Sequence, residues 1–207
     1  MIEKGLFIQI EGIDCSGKET QSKELAKRFQ EDGHDVITIS FPVYDSESGE
    51  ILRDILEGFH PLTPKNNPLE FQALMTINRY EQQMRIEHAL MTGKVVIADR
   101  YADSSIAYGM ADGLDEQWIS KISHSLVQPD IKILLDISID EYRRRSLAKG
   151  DLDFYEEDIE NMMKVRDIYQ NLAMRDDWIV ITAEGDPQEI ADVLYATIKQ
   201  RMDEMGV

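Results

Sequence analysis

Five short apolar runs recur along the chain: LFIQI (6–10), VITIS (36–40), VVIA (95–98), IKILLDI (131–137) and WIVIT (178–182). Each is bounded by polar or turn residues, and their brevity and β-branched content mark them as buried strands. Longer segments of helical period lie between them: SGKETQSKELAKRFQEDG, NPLEFQALMTINRYEQQMRIEHALMTG, DEQWISKISHSLV, DEYRRRSLAKG, EEDIENMMKVRDIYQNLAMRD and DPQEIADVLYATIKQRMDEM. A chain that alternates strand and helix throughout is expected to build an α/β fold, a parallel sheet covered by helices on both faces. Gly33 and Gly93 stand where helices end, and Asn67-Pro68 and Asp186-Pro187 where helices begin.

The 207 residues, 43% of them hydrophobic, are enough for one domain with its own core, and no repeat, low-complexity tract or linker divides them. Lys and Arg number 22 against 40 Asp and Glu, a net charge of -18 that repels polymeric nucleic acid and anionic membrane surfaces. A small anionic substrate stays compatible with that charge, because a few cations focused in a cleft set the local field. Cys15 is the only cysteine, so no intramolecular disulfide can form. With no apolar run near the ~18 residues of a membrane span, a cytoplasmic protein without membrane contact is expected. GDLDFYEEDIE (150–160) carries six acidic residues and no basic one. It reads either as a solvated helix N-terminus favoured by the dipole or as part of a mobile lid.

The segment EGIDCSGKETQ (11–21) joins the first strand to the first helix. Gly12, four residues, then Gly17-Lys18 in that context is a phosphate-binding loop: glycines let backbone N–H groups and the helix dipole face an anion, and Lys18 reaches the outer phosphates. Glu19 occupies the position where a Ser or Thr hydroxyl would normally bind magnesium. Three readings stay open: Glu19 supplies a carboxylate oxygen, Thr20 or waters take over, or the metal site is lost. Asp99 and Arg100, in ADRYADSSIAYG, fall at the carboxyl end of a strand, where open α/β sheets bind ligands. His34, His60, His88 and His124 have no ligand-like spacing.

EGIDCSGKETQ, SFPVYDSESGEIL, INRYEQ, DRYADSSIAYG and QPDIKILLDI, in that order and spacing, resemble the thymidylate kinases, from about residue 5 to about residue 200. The resemblance implies a P-loop NTPase-type, five-stranded parallel sheet with a small helical lid at about 143–157, a single nucleoside monophosphate kinase domain over 1–207, and transfer of the γ-phosphoryl of ATP to dTMP. It also implies Mg2+ and a homodimer. Because the acceptor is already an anion, such chemistry needs no general base, only positioning and charge neutralisation.

Residue by residue, the resemblance puts ATP on Gly12, Cys15, Ser16, Gly17, Lys18, Glu19, Thr20 and Arg145, with Glu19, Thr20 and Asp99 around the metal. Lys18, Asp99, Arg100, Arg145 and Lys149 would carry the transfer. Asp14 would meet the sugar 3'-hydroxyl or help organise magnesium, and Arg79 and Arg100 would clamp the acceptor phosphate. Phe41, Pro42 and Leu56 would wall the base pocket, Ser104 and Ser105 would line it, and Tyr108 would crowd C2' against ribonucleotides. Met75 stands where the family usually stacks Phe on the base, and Tyr44 where many relatives have Arg. Cys15 occupies the place of a loop arginine, which shifts the charge at the transferring phosphate to the lid, where Phe154 replaces another arginine. An acceptor such as dUMP, or a non-catalytic nucleotide-binding module, is the alternative.

Overall fold

A computed structural model describes residues 5–149 and 158–206, without the side chain of Lys149. Five strands form one parallel sheet: β1 (Leu6–Glu11), β2 (Val36–Ser40), β3 (Val95–Asp99), β4 (Ile131–Asp136) and β5 (Ile179–Thr182), in the order β2-β3-β1-β4-β5. β1 and β2 flank β3, with Leu6 and Val36 both paired to Val95, while β4 borders β1 on the other side. All five expected strands are present, each within a residue or two of the expected ends.

The burial of β1 and β3 explains their unbroken apolar sequences. Leu6, Ile8, Ile10, Val95 and Ile97 belong to one core, with Leu25 and Phe29 of α1 (Lys18–Glu31). Their neighbours Phe7, Val96 and Ala98 turn the other way, into a second core with Ile86 and Ala89. Successive side chains of a strand point to opposite faces, so two apolar cores mean two covered faces.

Ile86 and Ala89 come from the long helix α3 (Pro68–Met91). The remaining expected helices are α5 (Glu116–Ser123), α6 (Ile139–Lys149), α7 (Ile159–Arg175) and α8 (Pro187–Met205). Asp115, Asp158 and Asp186 each cap the helix that follows by accepting backbone N–H bonds.

Two helices fall outside the periodic segments: α2 (Glu47–Leu56) and α4 (Ala102–Ala111). Ser46 caps α2 through the Gly49 N–H, a local signal hidden inside a Ser- and Gly-rich stretch. α4 has no capping side chain of its own. Its cap is Glu11, brought from the end of β1: Oε1 accepts the N–H groups of Tyr101 at 2.8 Å and Ser104 at 3.2 Å. No local rule could have found that cap.

Candidate active site

The loop between β1 and α1 is built as its spacing requires. Gly12 has φ 151°, and a Cβ there would lie 2.6 Å from the Leu135 carbonyl oxygen, so no side chain fits. Gly17 takes φ 90° where α1 begins. Lys18 is buried, its Nζ bonded at 2.8 Å to the Ile13 carbonyl, and burial pulls its pKa down to about 8.

Two cavities meet at this loop. The larger, about 660 Å³, is lined by the loop from Asp14 to Thr20, by Asp99 and Arg145, and by Gly185, Pro187 and Ile190. The smaller, about 230 Å³, is walled by Phe41, Pro42, Tyr44, Leu56, Phe71 and Met75 on one side and Ser104, Ser105 and Tyr108 on the other. Asp14, Ser40, Phe41 and Arg100 line both, so whatever occupies one cavity reaches the other across these residues.

Arg100 is the hinge of this arrangement. Its backbone has φ 65°, a conformation non-glycine residues seldom adopt. The Arg100 N–H on the Ile10 carbonyl at 2.9 Å and the Glu11 cap just after it hold that geometry. The guanidinium ion-pairs with Asp14, donates at 3.2 Å to the Gly12 carbonyl and the Tyr108 hydroxyl, and lies 5.1 Å over the Tyr108 ring. Burial opposes its charge, but the carboxylate of Asp14 helps outweigh that, and its pKa sits above the usual value. Tyr108 donates to the other Asp14 oxygen at 2.8 Å, which closes a triad of Asp14, Arg100 and Tyr108 between the cavities.

Behind it lies a buried polar cluster. Besides its backbone bonds, Glu11 accepts from Ser104 Oγ at 2.6 Å, Tyr169 Oη at 2.7 Å and Gln9 Nε2 at 2.8 Å. Complete burial raises its pKa in spite of these donors.

This geometry agrees with what the chain is similar to. The family model for thymidylate kinase matches residues 10–193. The chain belongs to the thymidylate kinase family. It is 36% identical over 202 residues to a probable thymidylate kinase of Pyrococcus abyssi, covering 96% of this chain and 98% of that one. It is 34% identical over 204 residues to the thymidylate kinase of Thermomicrobium roseum, covering 95% of each. A solved thymidylate kinase of Candida albicans superposes with a TM-score of 0.78 at 24% identity, covering 96% of this chain and 92% of that one, a likeness of fold.

The candidate residues taken from the thymidylate kinases divide in three. Asp14, Phe41, Pro42, Tyr44, Leu56, Met75, Arg100, Ser104, Ser105 and Tyr108 gather at the smaller cavity; Cys15, Ser16, Gly17, Lys18, Glu19, Thr20, Asp99 and Arg145 gather at the larger. Gly12 lines neither, and nor does Arg79. It is fully buried, bonded through Nη1 to Ser105 Oγ at 2.8 Å, and its Nε and Nη2 have no partner among the described residues. Burial lowers its pKa to about 10. The structure therefore does not bring Arg79 and Arg100 into one clamp: only Arg100 stands between the cavities.

Two charged candidates at the larger cavity have partners of their own. The Glu19 carboxylate, on the cavity rim, is 76% exposed and paired with Lys23 one turn along α1. Arg145, on α6, reaches the loop. It is braced by Glu141 at 2.6 Å and donates to the carbonyls of Cys15 at 3.0 Å and Ala183 at 2.7 Å. The Lys149 side chain and Phe154 lie outside the described residues, as does most of the lid expected at 143–157.

The sequence reading missed Gln72, Phe71, Gly185, Pro187 and Ile190 as lining residues, and Glu11 as the residue that supports Tyr101 and Ser104. Gly185-Asp186-Pro187 carried a helix-start signal, but nothing local tied it to the loop more than 160 residues earlier.

Proposed function

We propose that this chain is a thymidylate kinase that transfers the γ-phosphoryl group of ATP to dTMP, giving dTDP and ADP. The observation that carries the reading is the pair of cavities joined at Asp14 and Arg100. One is a polar cradle around a phosphate loop; the other is an apolar slot sized for a base and sugar. A kinase with an anionic acceptor needs two phosphates held in line with their charge offset, and a forked, always-charged guanidinium at the junction does that.

ATP lies in the larger cavity, its phosphates on the loop N–H groups and Lys18, its nucleoside toward Arg145, Gly185, Pro187 and Ile190. The acceptor lies in the smaller one. Its base packs between Phe41, Leu56 and Met75, and its sugar meets Asp14 and Tyr108. Arg100 takes its phosphate. Arg79, deep beside Ser105, stands at the base end, where its unpartnered N–H groups suit a ring carbonyl.

Among the described residues no group of three or more His, Cys, Asp or Glu could hold a metal by itself. That suits Mg2+, which usually keeps its waters and takes one or two carboxylates plus substrate phosphates. Asp99 and Thr20, both facing the ATP cavity, are the residues that would hold it, with Glu19 at the rim. Bound there, Mg2+ neutralises charge on the transferring phosphates.

α3 exposes Ile77, Met84 and Met91 at intervals of seven residues, and α2, packed against α3, exposes Ile51. This apolar stripe supports a homodimer through α2 and α3. No described helix is long and apolar enough to cross a membrane, and a single cysteine suits a reducing cytoplasm. The single kinase domain extends over 1–207, with a lid at about 143–157.

Purified protein with ATP and magnesium tests this against an acceptor panel. Turnover of dTMP well above that of dCMP or AMP supports the reading, and faster turnover of another acceptor replaces it.

A further inference from the structure

One polar side chain in the smaller cavity has no structural employment. Gln72, on the second turn of α3, lines the cavity yet is only 1% exposed. Among the described residues its Oε1 is buried without a partner, and its side-chain amide makes no hydrogen bond. A buried amide left unsatisfied is costly, and native structures seldom keep one without reason. Its position is also built. Gly109 of α4 leaves room for the stem: a Cβ there would lie 3.3 Å from Gln72 Cγ and 2.7 Å from Ile119 Cδ1.

We propose that Gln72 is a specificity-determining residue that reads the hydrogen-bonding edge of the acceptor base, a pyrimidine with an imide N–H between two carbonyls. This rests on the thymidylate kinase reading and adds to it which residue recognises the ring. Oε1 accepts the ring N3–H, and Nε2 is left to donate to a neighbouring carbonyl. Complementary donors stand at and behind the pocket wall: Ser105, which lines the cavity, accepts from Arg79 and keeps its own hydroxyl proton to donate, and Arg79 behind it has two nitrogens, Nε and Nη2, without partners among the described residues. An amide can turn end for end, so Gln72 alone does not exclude a cytosine edge. The donor-only guanidinium of Arg79 does that. Gln72 also accounts for selectivity with Met75 in the slot: Met packs on a ring without directing it, and the amide supplies the direction.

The test compares kcat/KM for dTMP and for dTMP methylated at N3, which has no N–H to give and carries a methyl where Oε1 would sit. Gln72→Ala removes the acceptor and opens space. Gln72→Met keeps the volume and removes the polarity. Wild type is expected to prefer dTMP by about a hundredfold or more, as sites built to bond a polar group reject its analogue strongly. In Gln72→Ala that preference should shrink at least tenfold, with KM for ATP unchanged. Gln72→Met should melt no lower than wild type, because an unpaired buried amide has gone, yet need more dTMP to saturate. An unchanged dTMP preference in Gln72→Ala overturns the role of Gln72 while leaving the kinase reading intact. So does a Gln72→Met variant that melts lower with its KM for dTMP unmoved, since that marks a purely structural amide. A wild type that turns over another acceptor but no dTMP refutes the reading beneath and the role of Gln72 with it.

Discussion

Glu11 supports the acceptor site without touching it, and its replacement separates support from chemistry. Alanine there leaves the N–H groups of Tyr101 and Ser104 without their acceptor at the start of α4. The other donors have alternatives: Gln9 keeps Asp103 at 2.9 Å, and Ser104 Oγ lies 2.9 Å from the Tyr169 hydroxyl. Two orphaned buried donors at about 1–3 kcal/mol each put the cost of Glu11→Ala at roughly 2–6 kcal/mol. That is a large part of the ~5–15 kcal/mol that holds a domain folded. Glutamine keeps one oxygen on the two backbone donors, and its amide N–H groups can face Ser104 Oγ and Tyr169 Oη, hydroxyls able to accept. Glu11→Gln should therefore cost about 1 kcal/mol.

Urea unfolding measures both variants, and KM for dTMP should rise in Glu11→Ala as Arg100 and Ser104 lose their register. The pH dependence has a defined sign. The folded pKa of Glu11 lies above the unfolded 4.5, so its stabilising contribution is complete below 4.5 and is lost as pH rises through the folded value. The stability of wild type relative to Glu11→Gln should fall over that range. An alanine variant with the wild-type midpoint, or a glutamine variant as damaged as alanine, refutes the capping argument.

Four further outcomes follow from the site. Lys18 is charged below about 8 and neutral above, so kcat/KM for ATP should fall as pH rises through that value, and Lys18→Ala should lose about a hundredfold or more in kcat. The unfolded chain keeps that proton to 10.5, so stability should rise between about 8 and 10.5, measurable as a shift in urea midpoint absent from Lys18→Met. Glu19→Ala should leave the magnesium activation curve nearly unchanged, because its carboxylate is solvated and paired with Lys23, whereas Asp99→Asn should shift the curve to much higher magnesium. Tyr108→Phe should keep discrimination against ribothymidine monophosphate, since ring bulk enforces it, while Tyr108→Ala should lose it in side-by-side kcat/KM measurements.

The parts of the fold set by local rules were legible in the sequence. β1 to β5 declared themselves by short apolar runs, and α8 by Asp186-Pro187. α4 did not, because its cap comes from β1. The site divides the same way. The phosphate loop follows from a glycine spacing with a steric cause at Gly12, and Arg100 and Tyr108 from one short motif. Gln72 sat inside a helical period as one more polar residue, and only its burial without a partner among the described residues singles it out. Arg79 has a helix position that the sequence shows and a direction that it does not. Its burial beside Ser105, away from the junction of the cavities, shows what packing adds.

The most direct test of the central claim is ADP release from the purified protein with ATP and magnesium, with dTMP, dUMP, ribothymidine monophosphate, dCMP, AMP and thymidine as acceptors. The geometry calls for magnesium-dependent turnover fastest with dTMP and slow with the ribonucleotide. ATP binding without turnover of any acceptor would contradict it, and would leave the two joined cavities as a binding site alone.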